Sequence, residues 1–164
     1  ASYLSSELPS QCLITTHSPQ IASSFSPSSI IRLFKKDFAT FAASNGCTKE
    51  LGTAWTELGY RMSIIPAEAF FSSGVLLVEG PSEEILYKEM LFKNGIDIDY
   101  FNLSIFSVGG IQFNVFAKVL QALEIPFAFR TDNDVSTTTI KNVKHWQYLG
   151  VNRCLGILNK EKWI

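Results

Sequence analysis

Histidine and cysteine are scarce in this 164-residue chain, two and three in all. The cysteines, at 12, 47 and 154, show no metal-ligand spacing and leave an odd one over. Neither a zinc site nor a disulfide framework is expected, and reduced thiols in a cytoplasmic protein account for them most simply. Charge of one sign is also lacking: fourteen basic residues face fifteen acidic ones, for a net charge of −1. No global field draws the chain to nucleic acid, so a polyanionic partner would need a local patch or a metal. No apolar run approaches the length of a membrane span, and no charged segment followed by an apolar one opens the chain. A membrane helix and a secretory signal are therefore not expected. The chain begins Ala-Ser-Tyr and stops at Glu-Lys-Trp-Ile, which reads as a piece of something longer. Internal repeats and low-complexity tracts are absent.

Apolar residues make up 46% of the chain, and the thirteen phenylalanines could fill a sizeable core. The chain is organised around residues 74–84, Gly-Val-Leu-Leu-Val-Glu-Gly-Pro-Ser-Glu-Glu. The run 75–78 is short, apolar and without alternation, which suits a central strand buried on both faces. Gly80 permits a sharp turn, and Pro81 fits the first turn of a helix, where its missing N–H is not needed. Glu79 is then placed at the C-terminal end of the strand and Glu83 on the opening turn of the helix. Glu83 and Glu84 are accounted for by the preference of acids for a helix N-terminus. Glu79, ending an apolar strand, is not.

From there the pattern is regular. Strand 75–79 leads to helix 82–93, with Leu86 and Met90 four apart, and Asn94-Gly95 closes it. A second strand, 103–108, ends in Gly109-Gly110. Helix 111–124 carries Phe113, Phe116, Ala117, Leu120 and Leu123 at helical spacing and stops at Pro126. A third strand, 127–131, ends in Asp132-Asn133-Asp134. This β-α-β-α-β order predicts an α/β fold with a mostly parallel sheet. Residues 139–149 read as a further helix through Ile140, Val143 and Trp146; for 151–158 periodicity leaves strand and helix open.

The first half is less regular. Residues 12–16 read as a strand ended by His17-Ser18-Pro19, and 20–25 as a helical turn or two. Residues 30–34 and 38–43 read as a hairpin around Lys35-Lys36-Asp37, Asn45-Gly46 as a turn, and 47–73 as one helix and a connection.

Three strand ends thus carry small or acidic groups on one edge of the predicted sheet, the edge where open α/β sheets bind ligands. If the strands are neighbours, Glu79, Glu83, Asp132 and Asp134 converge. Such a cluster takes up protons or cations, and oxygen donors without His or Cys point to Mg²⁺, or Mn²⁺ in its place. Phosphoryl transfer or phosphodiester hydrolysis is the matching chemistry. Taken singly, Asp-Asn-Asp is also ordinary turn chemistry and Gly-Gly an ordinary tight turn.

Glu79 to Glu83, Gly109-Gly110 and Thr131-Asp-Asn-Asp134 resemble the motifs of a Toprim domain. A second acid four residues after the first is similar to the nucleases of the OLD (overcoming lysogenization defect) family. The resemblance covers about residues 74–135. It implies a Toprim-type, Rossmann-like sheet flanked by helices and a metal-dependent DNA endonuclease. Glu79, Glu83, Asp132 and Asp134 would be the ligands, Glu79 and Asp132 the catalytic residues, and Gly80, Gly109 and Gly110 the site loops. Residues 13–19, Leu-Ile-Thr-Thr-His-Ser-Pro, are similar to the switch-histidine segment of ABC-type ATPases, where His17 would reach the nucleotide; alone, a His before Ser-Pro is an ordinary loop residue. No G-x-x-x-x-G-K-[ST] occurs in the chain, so His17 makes no ATP site by itself.

The resemblance therefore implies three parts: residues 1–62 as the β-rich end of an ABC-type ATPase domain, 63–73 as a connection and 74–164 as the Toprim domain. It also implies ATP control, a homo-oligomer formed through the ATPase part, and a role in phage defence or DNA processing. Lys35, Lys36, Arg130, Lys141 and Lys144 are candidates for DNA backbone contact. The resemblance also implies a basic residue or further acids well after the Asp-x-Asp; Lys141, Lys144 and Lys160 are available for it, but none sits in a matching motif. Two alternatives stand. The Asp-x-Asp also resembles haloacid-dehalogenase-type phosphatases, with Asp132 as nucleophile, but it lies on a late strand, Ser136 stands where Thr or Val is usual, and Glu79 has no role. Or the fold is a non-catalytic DNA-docking or assembly module.

Overall fold

A computed structural model describes residues 11–22, 24–25, 29–43, 67–109 and 113–158. The Asn45-Gly46 turn, most of the 47–73 helix and connection, Cys47, Gly110 and Lys160 fall outside these. The fold is α/β, with a three-stranded parallel sheet flanked by helices. β3 (Gly74–Val78) is central, hydrogen-bonded to β4 (Leu103–Ser107) on one side and β5 (Phe127–Phe129) on the other. The in-register pairs Val78–Ser107 and Leu77–Phe129 bring the three C-terminal strand ends level. Two further bonds carry the ladder onward, from Val108 N–H to the Val78 carbonyl and from Arg130 N–H to the Leu77 carbonyl, both 2.9 Å.

β3 is buried on both faces, as its unbroken apolar run predicts. Val75 and Leu77 point into the main core, with Phe106, Phe113, Phe116, Val119, Leu120 and Leu123. Helix α3 (Phe113–Ala122) supplies five of its residues to that core. Each fully buried large side chain is worth about 1.5–3 kcal/mol. Helix α2 (Pro81–Lys93) lies against β3 and β4 on the other face. Its grip is lighter than the Leu86/Met90 spacing suggests. No α2 residue is buried, and Ile85, Leu86, Met90 and Phe92 are exposed. Pro81 sits at the start, and Asn94 caps the end before Gly95 at φ +72°.

Helix α1 (Pro19–Ala22) precedes an antiparallel hairpin of β1 (Leu33–Lys36) and β2 (Ala39–Ala42). Its turn is Asp37-Phe38, both at positive φ, so that Lys35 and Lys36 of the expected Lys35-Lys36-Asp37 turn end β1 instead. Arg32, just before β1, ties the hairpin to the sheet domain. Its guanidinium donates to the carbonyls of Leu123 and Glu124 at the end of α3 and of Ser72 before β3. Burial lowers its pKa.

Two expectations fail. Residues 12–16 form no strand: 11–18 are irregular and largely exposed, with Leu13 at the surface and no neighbouring strand among the described residues to pair with. The 139–149 helix is instead a hairpin of β6 (Val135–Ile140) and β7 (Val143–Tyr148). Ile140, Val143 and Trp146 mimic helical spacing. Yet Thr137-Thr138-Thr139 is β-branched, and Lys141-Asn142 takes positive φ at both residues (+48° and +63°), the two-residue turn that suits paired strands. Residues 151–158 resolve as helix: α4 (Leu149–Ile157) follows β7 directly.

Candidate functional site

The three strand ends meet as the spacing requires. Glu79 follows β3, Arg130, Thr131 and Asp132 follow β5, and Gly109 lies just past β4 at φ +63°. One carboxylate oxygen of Glu79 accepts three bonds: from Thr131 Oγ1 at 2.8 Å, from the Asp132 backbone N–H at 3.0 Å, and from Arg153 at 3.2 Å. Burial alone would raise the pKa of Glu79; the Asp132 amide, the Thr131 hydroxyl and Arg153 together hold it below the ordinary value. The group is an anion at neutral pH, aimed across the sheet edge.

Glu83 turns back on the strand end. Its Oε2 accepts the backbone N–H groups of Glu79 at 2.7 Å and Gly80 at 3.2 Å. It therefore satisfies amides left over where strand gives way to helix. Its other oxygen is buried against the Arg130 guanidinium. Arg130 also reaches Asp132 Oδ1 at 3.3 Å and lies 5.9 Å from the Tyr87 ring centre. Glu84 fastens α2 to the neighbouring strand, accepting the Ser107 N–H at 3.0 Å and pairing with Lys88 at 2.7 Å. Burial would raise its pKa, but the bonds from Lys88 and Ser107 lower it.

The Asp-Asn-Asp loop is pinned by the start of α4. Leu149 N–H donates to the Asp134 carbonyl at 2.7 Å, and Val151 N–H to Asn133 Oδ1 at 3.3 Å. Gly150 lies between them because nothing larger fits. A Cβ there would overlap the Asp132 carbonyl oxygen and stand 2.8 Å from Asn133 Cα. One turn on, Arg153 bonds both Glu79 and Thr131 Oγ1, and its guanidinium lies 5.9 Å from the Phe113 ring centre.

Three of the four predicted acids, Glu79, Glu83 and Asp132, thus share one neighbourhood, linked through main-chain amides and two arginines. The Asp132 side chain is 62% exposed; those of Glu79 and Glu83 are 24% and 16%. Asp134 is exposed, and its carbonyl rather than its carboxylate is engaged. Among the described residues no three His, Cys, Asp or Glu side chains are grouped as a metal-ligand set. The donors match a hard cation in kind, being carboxylate oxygens throughout. Here two guanidinium groups neutralise them. Gly80 is the residue before α2, and Gly110 falls outside the described residues.

Sequence reasoning missed both arginines as parts of the site. Arg130, a candidate DNA contact from its sequence position, pairs here with Glu83 and Asp132. Arg153 lies in 151–158, where periodicity fits strand or helix alike, and the sequence offers Lys141, Lys144 and Lys160 for a late basic role instead. Lys141 and Lys144 lie on the β6–β7 hairpin instead. His17 is remote from the acids. It lines a cleft of about 720 Å³ with Arg32, Lys35, Lys36 and Phe70, beside Ser73 and Pro126 at the N-terminal rim of the sheet.

Residues 70–134 match the sequence model of the family described as "Overcoming lysogenization defect protein-like, TOPRIM domain". An "Endonuclease GajA" of Bacillus cereus (strain VD045) is 28% identical over 148 residues, 90% of this chain and 25% of that protein. Another "Endonuclease GajA", from Bacillus cereus (strain HuB5-5), is 30% identical over 69 residues, 42% of this chain and 10% of that protein. The solved C-terminal region of the Xanthomonas campestris pv. campestris OLD protein is 38% identical, covering 41% of this chain and 33% of that one, at a TM-score of 0.39. The chain spans about a quarter of the length of the first of these relatives. The matched stretch, 70–134, runs from just before β3 through Asp134 and holds Glu79, Glu83, Arg130 and Asp132.

Proposed function

Because the chain carries a Toprim domain of the OLD (overcoming lysogenization defect) family, we propose that it hydrolyses phosphodiester bonds of DNA at the rim where β3 and β5 end. The observation that carries the reading is the bond from the Asp132 amide to the Glu79 carboxylate, joining acids 53 residues apart in the chain. It gives Glu79 a place that the phosphatase reading does not.

Glu79 and Asp132 are the residues we assign to catalysis. They would hold Mg²⁺ or Mn²⁺ together with Glu83 and Asp134. When bound, such an ion activates water and steadies a leaving oxygen. The remaining work falls to the chain. Glu79 is kept ionised by its three donors. Glu83 fixes the strand-to-helix turn through two amides. Arg130 and Arg153 set positive charge beside the carboxylates, and guanidinium forks bond phosphate well. As the resemblance implies, ATP control and oligomerisation would reside in an ATPase part to which residues 1–62 and His17 would belong, with phage defence or DNA processing as the setting.

The test is cleavage of plasmid DNA with Mg²⁺ or Mn²⁺ added. Glu79→Gln and Asp132→Asn should abolish cleavage while circular dichroism and thermal melts stay those of a folded protein. Undiminished cleavage by either variant overturns the assignment.

A further inference from the structure

We propose that the exposed face of the β6–β7 hairpin is a stacking platform for unpaired nucleotides of the substrate strand, next to the cleavage site. The proposal rests on the reading of the chain as a DNA-cleaving domain. The family match ends at residue 134, so the hairpin takes no assignment from it.

Register fixes what the face presents. Residues directly opposite one another share a face, and the pairs are Val135–Tyr148, Thr137–Trp146 and Thr139–Lys144. All six are exposed, whereas Ser136, Thr138, His145 and Gln147, which face the other way, are half-buried. Trp146 and Tyr148 are 65% and 42% exposed. Free energy does not favour leaving two large rings in water on an isolated hairpin, so a partner for them is expected. Two residues apart on one strand, they stand about 6.5–7 Å from each other, with side chains roughly perpendicular to the sheet. That spacing admits one planar base between them.

Charge selects the partner. No acid occurs between Asp134 and Glu161, while Lys141, Lys144, Arg153 and Lys160 fall in that interval. Lys144 continues the row of Trp146 and Tyr148, and Thr137 and Thr139 add hydroxyls beside it. Rings that stack bases next to an ammonium group for the backbone are the recurring means of holding single strands. In a duplex the base faces are already stacked on one another, so the rings would find partners only at ends or in opened stretches. Continuity with the site argues the same way. β6 begins one residue after Asp134, and β7 runs straight into α4, which carries Arg153 to Glu79. A strand lying on the hairpin would therefore run toward the acids.

The experiment is a titration of the chain with a short fluorescent oligothymidylate in EDTA, so that neither metal nor cleavage contributes. Anisotropy and tryptophan fluorescence are read together. We expect binding of the single strand in preference to its duplex, with quenching of tryptophan emission. Trp146→Ala should weaken binding about 5- to 150-fold, the range for one stacked base, and Trp146→Phe should keep much of the affinity while losing the quenching. Lys144→Ala should reduce the slope of log affinity against log salt by about 0.7. Equal binding by wild type and Trp146→Ala, or duplex bound as well as single strand without quenching, overturns the platform. So does a change of sedimentation in Trp146→Ala with oligonucleotide binding intact, which would make the face a protein contact. Lost cleavage in every assay with quenching preserved would sink the nuclease reading and leave the platform standing; cleavage that persists with no effect of Trp146→Ala would do the reverse.

Discussion

Truncating Arg153 to alanine removes three contacts at once. Its guanidinium donates to Glu79 at 3.2 Å and to Thr131 Oγ1, and it lies over the Phe113 ring. Arg153 and Glu79 are 23% and 24% exposed, so solvent screens their attraction only partly. A hydrogen bond to a charged group contributes about 1.5–3 kcal/mol and a cation–π contact about 0.5–1 kcal/mol. Glu79 keeps the Thr131 hydroxyl and the Asp132 amide, which softens the loss. A destabilisation of about 2 kcal/mol is expected, or a fall in Tm of about 4–8 °C for a chain of this length. Arg153→Lys should recover part of it, since the charge is kept and the fork is lost. The pH dependence carries a sign. The folded-state pKa of Glu79 is lowered, so its contribution is fully present above the unfolded glutamate value, about 4.3. It is lost as pH falls through the still lower folded value. The gap between wild type and Arg153→Ala should therefore be widest near neutral pH and narrow in acid. Urea unfolding across that range is the assay. A gap under about 0.5 kcal/mol at neutral pH, within the usual surface range, or one that does not narrow in acid, refutes the reasoning.

Other changes separate the scaffold from the site. Gly150→Ala should displace the Asp132–Asn133 backbone, because the added Cβ meets main-chain atoms that cannot swing away. A loss of about 1–3 kcal/mol, seen in thermal melts together with lost cleavage, is the expected result; an unchanged variant would contradict the close approach. Leu77→Ala opens a cavity in the fully buried centre of β3 and should cost about 2–5 kcal/mol by urea unfolding. Asn142→Val places a β-branched residue at φ +63° in the β6–β7 turn and should destabilise by about 1–2 kcal/mol, while Asn142→Gly should be neutral or mildly stabilising.

Much of the parallel half was legible in the residues. An apolar run without alternation, followed by Gly-Pro and an acid pair, yields the doubly buried β3 and a helix that starts at Pro81. Asn94-Gly95 marks its end, and the Phe-rich helical stripe marks α3. These signals are local, each set by the conformational limits of a few neighbouring residues. The β-α-β-α-β order placed Glu79 and Asp132 on one edge of the sheet, while the pairing of β3 with β5 that brings them together came from the tertiary structure.

The hairpin is hidden in the sequence because three residues at helical spacing outweigh a β-branched run whose turn, Lys-Asn, is a weaker signal than Asn-Gly. The strand expected at 12–16 has no neighbour among the described residues to pair with, and a strand is stabilised by the neighbour it pairs with. Arg153 was invisible for a different reason. Its carboxylate lies 74 residues earlier in the chain, and no spacing rule links positions that far apart. Sequence by itself determined which segments are strand or helix wherever the chemistry of turn and cap is strong, and it set acids at the strand ends. Only the tertiary structure decided which cations stand beside those acids, because an ion pair forms between surfaces brought together by packing, and the chain order of its partners leaves no periodic trace.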